Sequence, residues 1–143
     1  MTSQPSSSDA VGATVIRVTT DQDVTWAWQE ALRQVDNMAF TSAASHHLAT
    51  SVSELAQNLV KHATEGGRIT LAPICRAGIE GVEVTAEDHG PGIEDVPRAM
   101  EDGYSTNGGL GGGLPAVRRL MDEFEITSTL GTGTRVVARI WKK

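Results

Sequence analysis

The sequence has little of several things, and each shortage excludes a class of function. It holds one cysteine, Cys75, among 143 residues, so no internal disulfide can form. No cluster of Cys and His has the spacing of a zinc site. Basic residues are outnumbered, 12 Lys and Arg against 18 Asp and Glu, giving a formal net charge of −6. Nucleic acid is therefore a poor primary partner, because affinity for it rests on neutralising phosphates. The adjacent Arg118 and Arg119 allow a local basic patch only. No apolar run approaches the ~18 residues needed to span a bilayer. The start, Met-Thr-Ser-Gln-Pro-Ser-Ser-Ser-Asp, has neither a basic region nor an apolar one and does not read as a signal peptide. The expected location is the cytoplasm.

What remains is an ordinary globular composition, 39% hydrophobic and 21% charged, over a length that suits one domain. Residues 1–12 are rich in Ser, with almost no large apolar side chains, and read as a flexible tail, leaving 13–143 as the folded domain. Val15, Ile16 and Val18 predict a strand from about Thr14 to Thr19. Asp21 or Asp23 can cap a helix reaching about Met38, and Thr41 or Ser42 one reaching about Ala63, stopped by Gly66 and Gly67. Two strands follow, Arg68 to Arg76 and Val82 to Glu87, turning through Ala77, Gly78 and Gly81. Cys75 on the first of them reads as a small buried apolar residue. Of Trp26 and Trp28, at least one is expected in the core. Residues 88–113 form a long glycine-bearing connection, of the kind that is usually functional or mobile. A helix from Leu114 to about Asp122 and two strands, Phe124 to Leu130 and Thr134 to Trp141, complete the chain. Strands that come mostly in hairpin pairs predict an α+β fold, a two-layer sandwich with a mixed, mostly antiparallel sheet and helices on one face.

Four segments carry chemistry. On the second helix Glu54 and Asn58 lie one turn apart, opposite the apolar stripe, with Ser51 and His62 read on the same side. A carboxylate beside an amide oxygen suits a hard cation such as magnesium and a proton acceptor, though a solvated helix face has the same pattern. Next comes Glu87-Asp88-His89-Gly90-Pro91-Gly92-Ile93. An ionised Asp88 can accept the exocyclic amine of adenine, with Gly90 and Gly92 admitting a flat ring. A plain turn would use the same residues. Third, Gly108 to Gly113 places five glycines in six positions before a helix, where free N–H groups and the helix dipole make an anion site. It is not a P-loop, which needs Lys-Ser/Thr where this chain has Leu-Pro, and it does not follow a strand as a dinucleotide fingerprint does. Last, Gly131-Thr132-Gly133-Thr134 is accounted for by a tight hairpin, while the Thr134 hydroxyl could also support an adenine contact.

In their order, Glu-x-x-x-Asn, Asp-x-Gly-x-Gly, the glycine loop and Gly-Thr-Gly-Thr resemble the GHKL ATPase superfamily with its Bergerat fold, over about residues 14–143. Ser53 to Asn58, Asp102-Gly103-Tyr104-Ser105-Thr106 and Gly109 to Phe124 are similar to the RsbT-type switch kinases of the stressosome. The resemblance implies ATP and Mg2+ as cofactors. It gives magnesium to Asn58 and the general-base role to Glu54. It gives the adenine amine to Asp88, the adenine floor to Gly90 and Gly92, the phosphates to Gly109, Gly111 and Gly113, and adenine support to Thr134. It further implies phosphorylation of Ser or Thr on a STAS-domain scaffold or antagonist protein, and activation of a PP2C-type phosphatase on release. The alternative it leaves is an anti-sigma factor kinase that sequesters a sigma factor. No phosphoacceptor-histidine domain or transducer domain is expected in a chain of this length.

Overall fold

The computed structural model describes residues 12–63, 65–93, 96–100 and 113–142. Its elements run β1 (Thr14–Val18), α1 (Asp21–Asp36), α2 (Ser42–His62), β2 (Gly67–Arg76), β3 (Ile79–Asp88), α3 (Val96–Ala99), α4 (Gly113–Leu120), β4 (Glu123–Thr129) and β5 (Gly133–Trp141). The five strands form one sheet in the order β1-β2-β3-β5-β4. Every pairing is antiparallel, so the expected mixed sheet is antiparallel throughout. The helices cover one face, as the hairpin pairing of the sequence predicts.

Local chemistry sets the boundaries. Thr20, rather than either aspartate, caps α1. Its hydroxyl accepts the Asp23 N–H at 3.3 Å, while the Asp23 carboxylate accepts the Thr20 N–H at 3.1 Å, a reciprocal box that satisfies two orphan donors. Thr41 caps α2 by accepting the Ala44 N–H at 3.1 Å. The β2–β3 turn is tighter than expected. Ala77 and Gly78 both take positive φ, 54° and 82°, which makes a two-residue hairpin and starts β3 at Ile79. Gly81 thus belongs to the strand, where a Cβ would meet the Trp141 ring at 2.7 Å. The short α3 lies inside the long connection and is too brief to show a helical period.

The core fills the space between the sheet's covered face and the helices. Ile16, Val18, Ile69, Leu71, Val82, Val84, Val136, Ala138 and Ile140 point inward from the strands. They meet Ala27, Ala31 and Val35 of α1, Leu48, Val52, Leu55 and Leu59 of α2, and Val117 of α4. Each large aliphatic buried this way contributes on the order of 2 kcal/mol by removal from water. Ser51 belongs to this interior too, fully buried, and its hydroxyl has no partner among the described residues. It shares the side of Leu48 and Leu55, not the polar side on which the sequence reading placed it.

The other face carries charge. Arg139 reaches Glu83 at 2.8 Å and Glu123 at 3.0 Å. Arg76 reaches Glu123 at 2.6 Å and stacks over the Trp141 ring, whose indole N–H donates to Glu123 at 2.8 Å. These donors, Arg76 foremost, pull the Glu123 carboxyl down to about 2. Two expectations of burial fail at the surface. Cys75 is exposed because β2 runs on past the end of β1 to the Ala77–Gly78 turn. Trp26 and Trp28 are both exposed, because Val24, Ala27, Ala31 and Val35 already supply the buried side of α1.

Candidate functional site

Three successive rows cross the covered face of the sheet, and the last breaks the pattern. Leu71, Val84, Ala138 and Phe124 pair across β2, β3, β5 and β4, and beside them Ile69, Ala86, Val136 and Ile126. One pair further along, the row reads Gly67, Asp88, Thr134, Ser128. Apolar side chains give way to a glycine, a carboxylate and two hydroxyls. Adjacent pairs in such a row hold their Cβ atoms about 5 Å apart, so these groups act together.

Asp88 is fixed within this row. Its Oδ1 accepts the Gly90 N–H at 2.7 Å, which folds the chain into the Gly-Pro-Gly turn. Among the described residues, Oδ2 accepts nothing and is left for a ligand donor. The carboxylate sits beside α2: a Cβ on Gly67 would lie 2.8 Å from Leu59 Cδ2 and 3.2 Å from the Asp88 Cβ. Gly67, read from the sequence as a helix stop, is therefore the gap that lets the helix turn bearing Asn58 approach Asp88.

The β4–β5 hairpin clamps the Gly-Pro-Gly turn from behind. Gly131 N–H donates to the Pro91 carbonyl at 2.9 Å, and Ile93 N–H donates to Ser128 Oγ at 2.7 Å. Gly92, at φ 84°, has the Thr129 carbonyl oxygen 2.6 Å from where a Cβ would stand. Gly133, at φ 136°, presses its backbone onto the Asp88 carbonyl with no room for a side chain. Gly133, which a tight hairpin would explain alone, is thus also needed to let two backbones meet.

The second half of the site lies on α2 and α4. Glu54 and Asn58 are half-buried on α2. The Gly113 N–H, first in α4, hydrogen-bonds the Glu54 carboxylate. Burial pushes the Glu54 carboxyl above its ordinary range, while the Gly113 amide and the Lys61 ammonium draw it back. Gly113 takes φ 60° with open space where a Cβ would be. Among the described residues no three His, Cys, Asp or Glu side chains gather to hold a metal. A cation here would take its oxygens from Asn58, water and a ligand's phosphates, the habit of magnesium.

Of the residues picked out in the sequence, Asp88, Gly90, Gly92 and Thr134 are brought together at the sheet end, and Glu54, Asn58 and Gly113 at the helix end. Gly109 and Gly111 lie outside the described residues. His62, His46 and His47 are exposed. The sequence reading missed Ser128, Gly67 and Gly133. The signal for Ser128 was there as a polar residue two positions after Ile126 on the same strand face.

Comparison with known proteins agrees with this fold. Residues 43–143 match the family model described as histidine kinase-, DNA gyrase B-, and HSP90-like ATPase. The chain is 40% identical over 126 residues to the serine/threonine-protein kinase RsbT of Bacillus subtilis, covering 88% of this chain and 94% of that one. It is 38% identical over 96 residues to the anti-sigma F factor of a Thermoanaerobacter species, covering 62% and 64%. The crystal structure of the RsbU and RsbW domains of a Mycobacterium tuberculosis protein has the same fold, with a TM-score of 0.63 at 17% identity over 91% of this chain and 32% of that one.

Proposed function

The chain belongs to the histidine kinase-, DNA gyrase B- and HSP90-like ATPases, and within them to the RsbT-type serine/threonine-protein kinases. From that premise we propose that it transfers the γ-phosphoryl group of Mg-ATP to a Ser or Thr on a STAS-domain scaffold or antagonist, and on release activates a PP2C-type phosphatase. ATP binding and partner-switch signalling follow from the family; the magnesium, the acceptor and the phosphatase are our reading.

The observation that carries the reading is the placement of Glu54. It stands one helical turn from Asn58 and is held by the first amide of α4. In the proposed division of labour, Asp88 accepts the adenine amine through its uncommitted oxygen, over a floor shaped by Gly90 and Gly92, with Thr134 beside it. Asn58 supplies one oxygen to magnesium, which neutralises phosphate charge when bound. Gly109, Gly111 and Gly113 attend the phosphates. Glu54 takes the proton of the acceptor hydroxyl that a partner protein brings. A carboxyl raised above its usual range is a better proton acceptor than a free glutamate. The rest of the acceleration comes from alignment and charge stabilisation.

The test is transfer of labelled phosphate from Mg-ATP to a purified STAS-domain protein. Glu54→Ala is expected to lower the rate by a factor of about 100 or more while ATP affinity stays within about threefold. Transfer at the normal rate by Glu54→Ala would remove the base assignment. The similarity to anti-sigma F factors supports a second reading, a kinase that sequesters a sigma factor. Co-purification with a sigma factor, and not with STAS proteins, would favour it.

A further inference from the structure

Ser128 has no role in the reading above, yet it is the most connected side chain of the site. Its Oγ lies 2.7 Å from the Ile93 nitrogen, 2.8 Å from Thr134 Oγ1 and 3.4 Å from the Gly133 carbonyl. A serine hydroxyl has one proton and two lone pairs. The Ile93 N–H can only donate, so it takes one lone pair. One proton and one lone pair are left for the remaining contacts.

The Ser128 proton has two acceptors in reach, the Gly133 carbonyl at 3.4 Å and Thr134 Oγ1 at 2.8 Å, and either hydroxyl of the Ser128–Thr134 pair can be the donor. The shorter contact lies at the usual hydroxyl-to-oxygen distance of about 2.7–2.8 Å. With Ser128 as donor to Thr134 Oγ1, the Thr134 hydroxyl must turn its own proton elsewhere. Thr134 pairs in register with Ser128 on one side and Asp88 on the other, so the proton is offered on the Asp88 side of the row, where a base would lie.

We propose that Ser128 is a positioning residue that fixes the Thr134 hydroxyl as a hydrogen-bond donor and so sets the purine selectivity of the nucleotide site. Asp88 then presents an acceptor and Thr134 a donor, directly or through one water. Adenine offers the complement, an exocyclic amine that donates and a ring nitrogen that accepts. Guanine in the same pose offers an oxygen and a ring N–H, which oppose both. Polar groups that are left unpaired in a site are what make such discrimination steep.

This inference rests on the placing of adenine at Asp88, and the experiment separates the two. ATP and GTP affinities are measured by calorimetry for the full chain with magnesium, in the wild type, Ser128→Ala, Ser128→Thr, Thr134→Val and Asp88→Asn, each checked for a folded circular dichroism spectrum. Ser128→Ala is expected to weaken ATP by about 5- to 10-fold, the loss of roughly one hydrogen bond. GTP should change less, so the ATP-to-GTP ratio narrows. Ser128→Thr keeps the hydroxyl and should restore the ratio. Thr134→Val should narrow it as Ser128→Ala does, and gives the same information should Ser128→Ala not fold. If Ser128 merely buttressed the turn, both nucleotides would weaken by one common factor and the ratio would hold, which overturns the proposal. Unchanged ATP affinity in Ser128→Ala overturns it as well. Unchanged ATP affinity in Asp88→Asn would overturn the placing of adenine itself, and the proposal with it.

Discussion

Around Asp88 the polar groups are tied to one another: carboxylate to Gly90, Ser128 to both Ile93 and Thr134, Gly131 to Pro91. Around Asn58 they are not. Its amide makes no hydrogen bond among the described residues, and Glu54 is held by one backbone N–H from another helix. The difference matches what each end would have to do. A base is one rigid shape, so its receptor is best built in advance. Phosphates, a cation and a protein hydroxyl arrive with charges and geometry of their own, and side chains committed to internal partners would have to give those up first.

The comparison can be broken most directly at Gly133. A side chain there would need a φ that L residues rarely adopt and would collide with the Asp88 backbone. Gly133→Ala should cost about 2–4 kcal/mol in a urea titration and abolish ATP binding in the fraction still folded. A stable variant with normal binding would show that the two backbones need not touch. The opposite end sharpens the contrast. Asn58→Ala removes no hydrogen bond to the described residues, so stability should stay within about 0.5 kcal/mol. ATP affinity in magnesium should nevertheless fall by about 10-fold or more, as expected for a lost charge-assisted contact, with little change in EDTA. Equal losses with and without magnesium would show that Asn58 does not serve the metal.

The smallest effect belongs to the open face, remote from both ends. The Glu123 carboxyl is held at about 2 against an ordinary 4.5, so ionised Glu123 stabilises the fold above pH 4.5 and that contribution disappears as pH falls from about 4.5 to about 2. Glu123→Gln should flatten this part of the pH dependence of the urea midpoint and leave ATP affinity near neutral pH unchanged. A wild-type slope in the variant would assign acid sensitivity elsewhere.

Much of this was legible in the chain itself. The periodicity of α1 and α2 and the alternation of the strands gave the layers. The Glu54–Asn58 spacing and the Asp-x-Gly-x-Gly turn pointed to both ends of the candidate site. What was not legible depends on register and on partners distant in sequence. Ser128 reads only as a polar residue on the Ile126 face until β4 pairs with β5 and brings it to Thr134. Gly67 looks like a helix terminator until β2 places it against Asp88. Cys75 carries an apolar neighbourhood in sequence, but its exposure follows from how far β1 extends along β2. Ser51 was misplaced by a helical-wheel reading that put the edge of the apolar stripe one position too narrow.

The strand order has a kinetic consequence. Among the described residues, β5 follows the other strands in sequence yet sits between β3 and β4, and β4 pairs with β5 alone. A nascent chain that has reached Thr129 therefore has nowhere to put β4, and the β3 edge that ends at Asp88 has no partner. The Asp88 end of the candidate site spans residues 67 to 134 and can close only after this late insertion, a long-range event of the kind that slows folding. Until then the molecule has its helices and the β1–β2–β3 sheet but not the row that joins Asp88 to Thr134 and Ser128. Competence to bind nucleotide should thus appear in one late step rather than in proportion to the secondary structure already formed.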